Sequence, residues 1–294
     1  MQASDEVTDA RARAAFLRAC RLDVETAKPG NVSVESAGHG MTSVLFIESA
    51  TAAANALFSR SAAIGARIFE AVTLTRARVA CNTNLGIVLL IAPLAAALET
   101  TPAPPDAASW QAATGAALAA LDIDDARAAY RAIALANPGG LGDAPEQTVH
   151  AEPTVSLREA MMLAAARDSI ARQYAEGFRD VFDIYRAAAR EWPHETPAPV
   201  VTLDVFLTYL SRWPDSHIVR KHGETVAQSV TREAQRLHAQ WRLERREAPH
   251  ANNAMAAKAL ARWDTELKAR GINPGTSADL TVATLFIDGV LNGI

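Results

Sequence analysis

A chain of 294 residues, 49% of them hydrophobic, can bury one large core or two small ones. Its formal charge of -4, with no basic stripe, argues against nucleic acid as a partner. Cys20 and Cys81, both in helix-like apolar contexts, read as reduced thiols rather than as a secreted disulfide framework.

The polar start, MQASDEVTDARAR, has no apolar leader. The one membrane-like run, Leu85 to Leu98, is broken by Pro93 and is too short to cross a bilayer. A cytoplasmic protein with no membrane partner is therefore expected. Only 6% of the chain is aromatic, so alanine, the best helix former, does much of the apolar work.

In chain order, Phe16, Leu17, Cys20 and Val24 recur at helical spacing and predict a first helix from about Thr8 to Ala27. Pro29 and the residue before it stop that helix, and Gly30 suits a positive φ. The loop from Lys28 to Met41 then presents Lys28, Asn31, Ser33 and His39, with Lys28 expected to be at least partly accessible. Thr42 or Ser43 caps a second helix marked by Phe46, Ala50, Ala54 and Leu57. Ile64, Ile68, Phe69 and Val72 mark a third. Asn82-Thr83-Asn84 interrupts two apolar flanks before the buried run at Leu85.

Asp106 caps the next helix, and a short one follows from Asp122 to Leu135. Residues 137–153, rich in Gly and Pro, form the longest non-periodic stretch and predict a mobile or functional loop. Ser156 to Glu159 fits a capping box. Phe178 to Arg190 continues helically. Val201 to Leu210 has strand-like residues, but its length favours helix. Gly223 to Glu247 interleaves Arg and Glu as a solvated helix would. A last helix begins near Ser277. Without βαβ alternation, the expected fold is all-α: a single domain over 1–294, with many helices around an Ala-rich core.

Walker A, G-x-G-x-x-G, H-E-x-x-H, C-x-x-C and G-x-S-x-G patterns are all absent. What remains is six polar islands at helix ends. They are Lys28 to Asn31, His39 to Met41, Asn82 to Gly86, Asn137 to Gly142, Asp215 to Gly223 and Asn273 to Asp279. Each taken singly reads first as a helix cap. Six in one chain point to phosphate binding at helix N-termini, with Lys28, Arg220 and Lys221 adding charge. Asp215, Asp183 and Asp279 are the candidate magnesium ligands.

The order of these islands resembles the triphosphoribosyl-dephospho-coenzyme A synthases. Lys28-Pro29-Gly30 is similar to the family's KPG loop, and His39 to Met41 to its H-x-M segment. Asn82-Thr83 and Gly86 resemble N-T-x-x-G. Asp215 with Arg220 to Gly223 resembles D-x-x-x-x-R-x-x-G. Asn273 to Leu280 resembles the P-G-G-S-A-D-L ending. The chain departs from that pattern at Asn31, Gly40, Asn84 and Thr276, which brings it nearer a branch found among methanogens and methylotrophs.

The resemblance implies an ATP-dependent transferase of cofactor biosynthesis. Its small-molecule substrates would be ATP and dephospho-coenzyme A or a related acceptor, with Mg2+ as cofactor. It further implies phosphate contacts from Lys28 and Arg220. Gly30, Asn31, Gly275 and Ser277 would complete the nucleotide site, Asn82, Thr83 and Asn84 would orient a ribose or base, and His39 or Glu25 would assist proton transfer. The competing readings are a related phosphoribosyl enzyme of methanopterin-type carrier synthesis and a non-catalytic nucleotide-binding module.

Overall fold

The structure, a computed structural model, describes residues 2–138, 148–149, 151–247 and 254–293. Most of the loop expected at 137–153 therefore lies outside the described residues. The rest is all-α, with fourteen helices and no strand among the described residues. They are α1 (Gln2–Glu25), α2 (Ser43–Leu57), α3 (Ile64–Val79), α4 (Leu85–Leu98), α5 (Ala107–Ala119), α6 (Ile123–Ala136) and α7 (Leu157–Ala164). α8 (Ser169–Glu176), α9 (Arg179–Glu191), α10 (Ala198–Arg212), α11 (Ser216–His222), α12 (Glu224–Glu247), α13 (Ala254–Ala269) and α14 (Gly275–Asn292) follow. None is long and apolar enough to cross a membrane. The chain divides into two compact units: unit 1 is Met1–Arg21, Val44–Ala187 and Val282–Ile294, and unit 2 is Leu22–Ser43 and Ala188–Thr281.

Unit 1 is built on α4, which is buried on nearly every side. Pro93 lies inside it and has no N–H to offer the carbonyl of Leu89 one turn back. Tyr174 of α8 fills that gap, its hydroxyl donating to Leu89 O at 2.6 Å. Burial pushes the Tyr174 phenol up, so it stays protonated and keeps donating. The proline thus leaves the helix continuous, because a tertiary donor replaces the missing one. Trp110, fully buried, donates to Leu94 O at 3.0 Å and meets Phe182 and Phe286 edge-on, at 6.0 and 5.5 Å between centroids.

The caps expected at Asp106 and Ser156 form as capping boxes, and Asp122, expected as the start of its helix, closes a third. The stretch around Phe178 differs from the expectation of one helix. Gly177 takes φ 64 and separates α8 from α9.

Unit 2 packs α10, α11 and α13 around α12. The reading of α12 as only a solvated helix misses a buried stripe. Ala227, Val230, Ala234, Leu237 and Trp241 recur every three or four residues and belong to the unit's core with Phe206, Leu210, Leu260 and Trp263. The segment with strand-like residues is the middle of α10, buried on several faces, so packing overrides its β propensity.

Below this core Asp204 is 1% exposed and fully partnered. Arg242 grips it with two bonds of 2.7 Å, His238 Nε2 lies at 2.7 Å, and Trp192 donates at 3.0 Å. Burial alone would raise its pKa. The bonds from His238 and Arg242, the Arg242 charge and the Trp192 bond outweigh it and hold the carboxyl at about 2. A folded-state pKa below the unfolded one stabilises the protein above pH 4 and ceases to do so as pH falls toward 2. The loss is expected to be about 2 kcal/mol, read as a shift in the denaturant midpoint between pH 5 and pH 2. Asp204→Asn should flatten that part of the pH profile; an unchanged profile would show the carboxyl to be unshifted.

Candidate functional site

In unit 2 four sequence islands close on one another. It begins at the end of α1. Lys28 folds back on the helix it follows, and its side chain is 0% exposed. Its Nζ lies 3.1 Å from Asp23 Oδ1 and donates to the Asp23 carbonyl, with the Thr26 carbonyl at 3.5 Å. A cation on the last carbonyls of a helix is a favourable C-terminal partner. The expectation of a partly accessible Lys28 is not met. Burial lowers the Lys28 pKa and raises that of Asp23, and each charge offsets part of the other's shift. The sequence reading passed over Asp23. Its signal was an aspartate in the last turn of a helix, where the dipole disfavours a negative charge unless a cation joins it.

Gly30 comes next, at φ 77. Its N–H donates to Asp264 Oδ1 at 2.8 Å. A Cβ there would meet Pro274 Cδ at 2.9 Å and Ile272 O at 3.0 Å, so only glycine fits both the dihedral and the space. Asn31 Nδ2 donates to Asn273 Oδ1 at 3.0 Å. The Lys28–Asn31 island is thus clasped to the Asn273–Gly275 island. α13 locks the loop from the other side: Lys268 pairs with Asp264 at 3.0 Å and donates to Ser36 Oγ at 2.6 Å. His39, half-buried at φ 57, stands 2.9 Å from Gly30 O through Nε2. A carbonyl can only accept, so Nε2 carries the proton.

The fourth island enters through Asp215, which is 2% exposed. Its Oδ1 accepts from the amides of His217 and Ile218 at 2.9 and 3.1 Å and caps α11. Its Oδ2 accepts from the amide and hydroxyl of Ser277 at 2.7 and 2.8 Å and fastens the first turn of α14. Burial pushes this carboxyl up, while the Ser277 and Ile218 donors and the Arg220 charge pull against it. His217 adds a second tie, its amide donating to Thr276 Oγ1 at 3.1 Å. Its imidazole rests on Gly275, where a Cβ would come 2.6 Å from Nδ1.

Basic groups gather here. Arg220 and His222 are half-buried and Lys221 is exposed. Burial, with the charges of Lys221, Arg220, His39 and His222, drives the His217 pKa down to about 3. Asp215, the carboxylate that caps α11, already has four donors.

Of the residues singled out from the sequence, unit 2 contains Glu25, Lys28, Gly30, Asn31, His39, Asp215, Arg220, Gly275, Ser277 and Asp279. Glu25 is exposed at the last residue of α1, and Asp279 is half-buried in the second turn of α14. Unit 1 contains Asn82, Thr83, Asn84 and Asp183. There Asn82 Oδ1 accepts from Leu85 N at 3.2 Å, at the start of α4. The Thr83 and Ser49 hydroxyls bond each other, and Asn84 Nδ2 donates to Thr75 Oγ1 at 3.1 Å. Asp183 is paired with Arg186 at 3.0 Å on the surface. Among the described residues no group of three or more His, Cys, Asp or Glu is placed to hold a metal ion. The capping of Asp215 agrees with that, since both of its oxygens already accept two donors each.

Residues 9–293 match the family model CitG, described as ATP:dephospho-CoA triphosphoribosyl transferase. A crystal structure from Archaeoglobus fulgidus, titled as a candidate triphosphoribosyl-dephospho-CoA synthase, superposes with a TM-score of 0.65 at 23% identity. The match covers 85% of this chain and 99% of that one. At that identity the likeness speaks for the fold. No curated protein matches the chain.

Proposed function

From the premise that the chain belongs to the ATP:dephospho-CoA triphosphoribosyl transferase family, we propose that its acceptor is dephospho-CoA and that unit 2 receives the polyphosphate of ATP. The observation that carries this reading is the junction of four islands with Arg220, Lys221 and His222 gathered on α11 beside it and Asp215 spent on helix caps.

In the reaction the 2′-hydroxyl oxygen of the acceptor ribose forms a bond to C1′ of the ATP ribose. The C1′–N9 bond breaks, its electron pair leaves with adenine, and the hydroxyl proton ends on the departing base. The triphosphate stays on the transferred ribose. Such a transfer builds positive charge at C1′ while a polyanion is held nearby, so orientation and electrostatics carry most of the work. Arg220, Lys221 and His222 supply the charge that meets the triphosphate. His39, whose Nε2–H is bound to Gly30 O, keeps Nδ1 as an acceptor suited to the hydroxyl proton. Magnesium would come with ATP, held chiefly by its phosphate oxygens and water.

Incubation with ATP, magnesium and dephospho-CoA is expected to release adenine in equal amount to a triphosphoribosylated product, both followed by mass. Formation of ADP and phosphate without adenine would overturn the reading.

A further inference from the structure

His217 has a feature that caps and packing leave unexplained. Its backbone amide is held twice, by Asp215 Oδ1 and Thr276 Oγ1, and its ring is braced against Gly275. Yet Nε2 is buried and has no hydrogen-bond partner among the described residues. A buried ring nitrogen left unmatched is costly, and native structures rarely leave one so without a ligand or water to meet it. The charged groups acting on this imidazole are the cations Arg220 and Lys221 of α11, with the imidazoles of His222 and of His39, in the loop after α1, beside them. Positive charge around the ring disfavours a second proton on it and favours an anion beside it.

We propose that His217 is a substrate-contacting residue whose Nε2–H donates to a phosphate oxygen of the ATP triphosphate. This rests on the reading of unit 2 as the polyphosphate site. Of the two neutral tautomers, the one with hydrogen on Nε2 serves an anion. Gly275 packs against the ring, and the two amide bonds hold the backbone that carries it. The contact is therefore preorganised, and its loss is felt in affinity rather than in folding.

The probe is inorganic tripolyphosphate, measured beside ATP, adenosine and pyrophosphate by calorimetry. His217→Leu is expected to weaken tripolyphosphate and ATP by about tenfold to a hundredfold, with adenosine unchanged. His217→Gln, whose amide nitrogen can stand near the Nε2 position, is expected to recover most of the loss. Unchanged tripolyphosphate affinity in a folded Leu variant would overturn the proposal. So would a loss confined to pyrophosphate and dephospho-CoA, which would give the contact to the acceptor's diphosphate.

The intact protein gives a second readout should the Leu variant not fold. The Nε2 nitrogen resonance of His217 is expected to move as tripolyphosphate is added, and a resonance that stays put counts against the contact. Adenine release separates this proposal from the one beneath it. A protein that binds tripolyphosphate through His217 but releases no adenine would end the transferase reading and leave the contact standing.

Discussion

Lys28→Ala is expected to cost on the order of 3 kcal/mol of stability, because it strands the buried Asp23 carboxyl and uncaps the end of α1. A surface lysine meeting a phosphate would behave otherwise. It would leave stability almost untouched and cost ATP affinity alone. Lys28 sits too deep for that in this conformation, with the Phe206 ring 5.9 Å from its Nζ. The denaturant midpoint is the measurement. The double variant Asp23→Leu/Lys28→Met is the control, since replacing both charges by apolar groups of similar size removes the stranded charge and recovers much of the loss. A single variant that keeps wild-type stability while losing ATP affinity would show that Lys28 leaves Asp23 to reach substrate.

The second large effect falls on Asp215. As the cap of one helix alone, its removal would cost about 1 kcal/mol. Here one carboxylate serves the starts of two helices, and four donors lose their acceptor together. Asp215→Ala is therefore expected to cost about 3–5 kcal/mol, with most of the excess from the buried Ser277 donors. Asp215→Asn keeps one oxygen for the α11 amides but turns an NH2 toward Ser277, so an intermediate loss is expected. In both variants that remain folded, the magnesium concentration needed for ATP binding should not change. Near-native stability with a steeply raised magnesium requirement would make Asp215 a metal ligand instead.

These two residues show how much could be read ahead of the fold. Pro29 and Gly30 announced the end of α1 and a left-handed turn from their own stereochemistry. The structure places Gly30 at φ 77 for that reason, though the contact with Pro274 that also demands glycine comes from 244 residues further along. The caps at Asp106 and Ser156 were legible because a cap bonds within its own turn. Asp215 was legible only by half: its α11 bonds are local, whereas Ser277 lies 62 residues away. Asp264 and Lys268 gave no signal beyond an ordinary i,i+4 pair, and their grip on Ser36 and Gly30 is wholly long-range.

The all-helical class followed from composition and period, since alanine-rich 3.6-residue patterning leaves few alternatives. The islands and their order, and with them the family, were also present in the linear chain. Whether a polar side chain is spent on the protein or kept for a ligand was not. That depends on which donors and acceptors the folded chain brings within about 3 Å, a matter of long-range packing that no local pattern encodes. Lys28 had the look of a reaching cation and is buried against Asp23. His217 had the look of an ordinary helix residue, yet its Nε2 lies buried with no partner among the described residues.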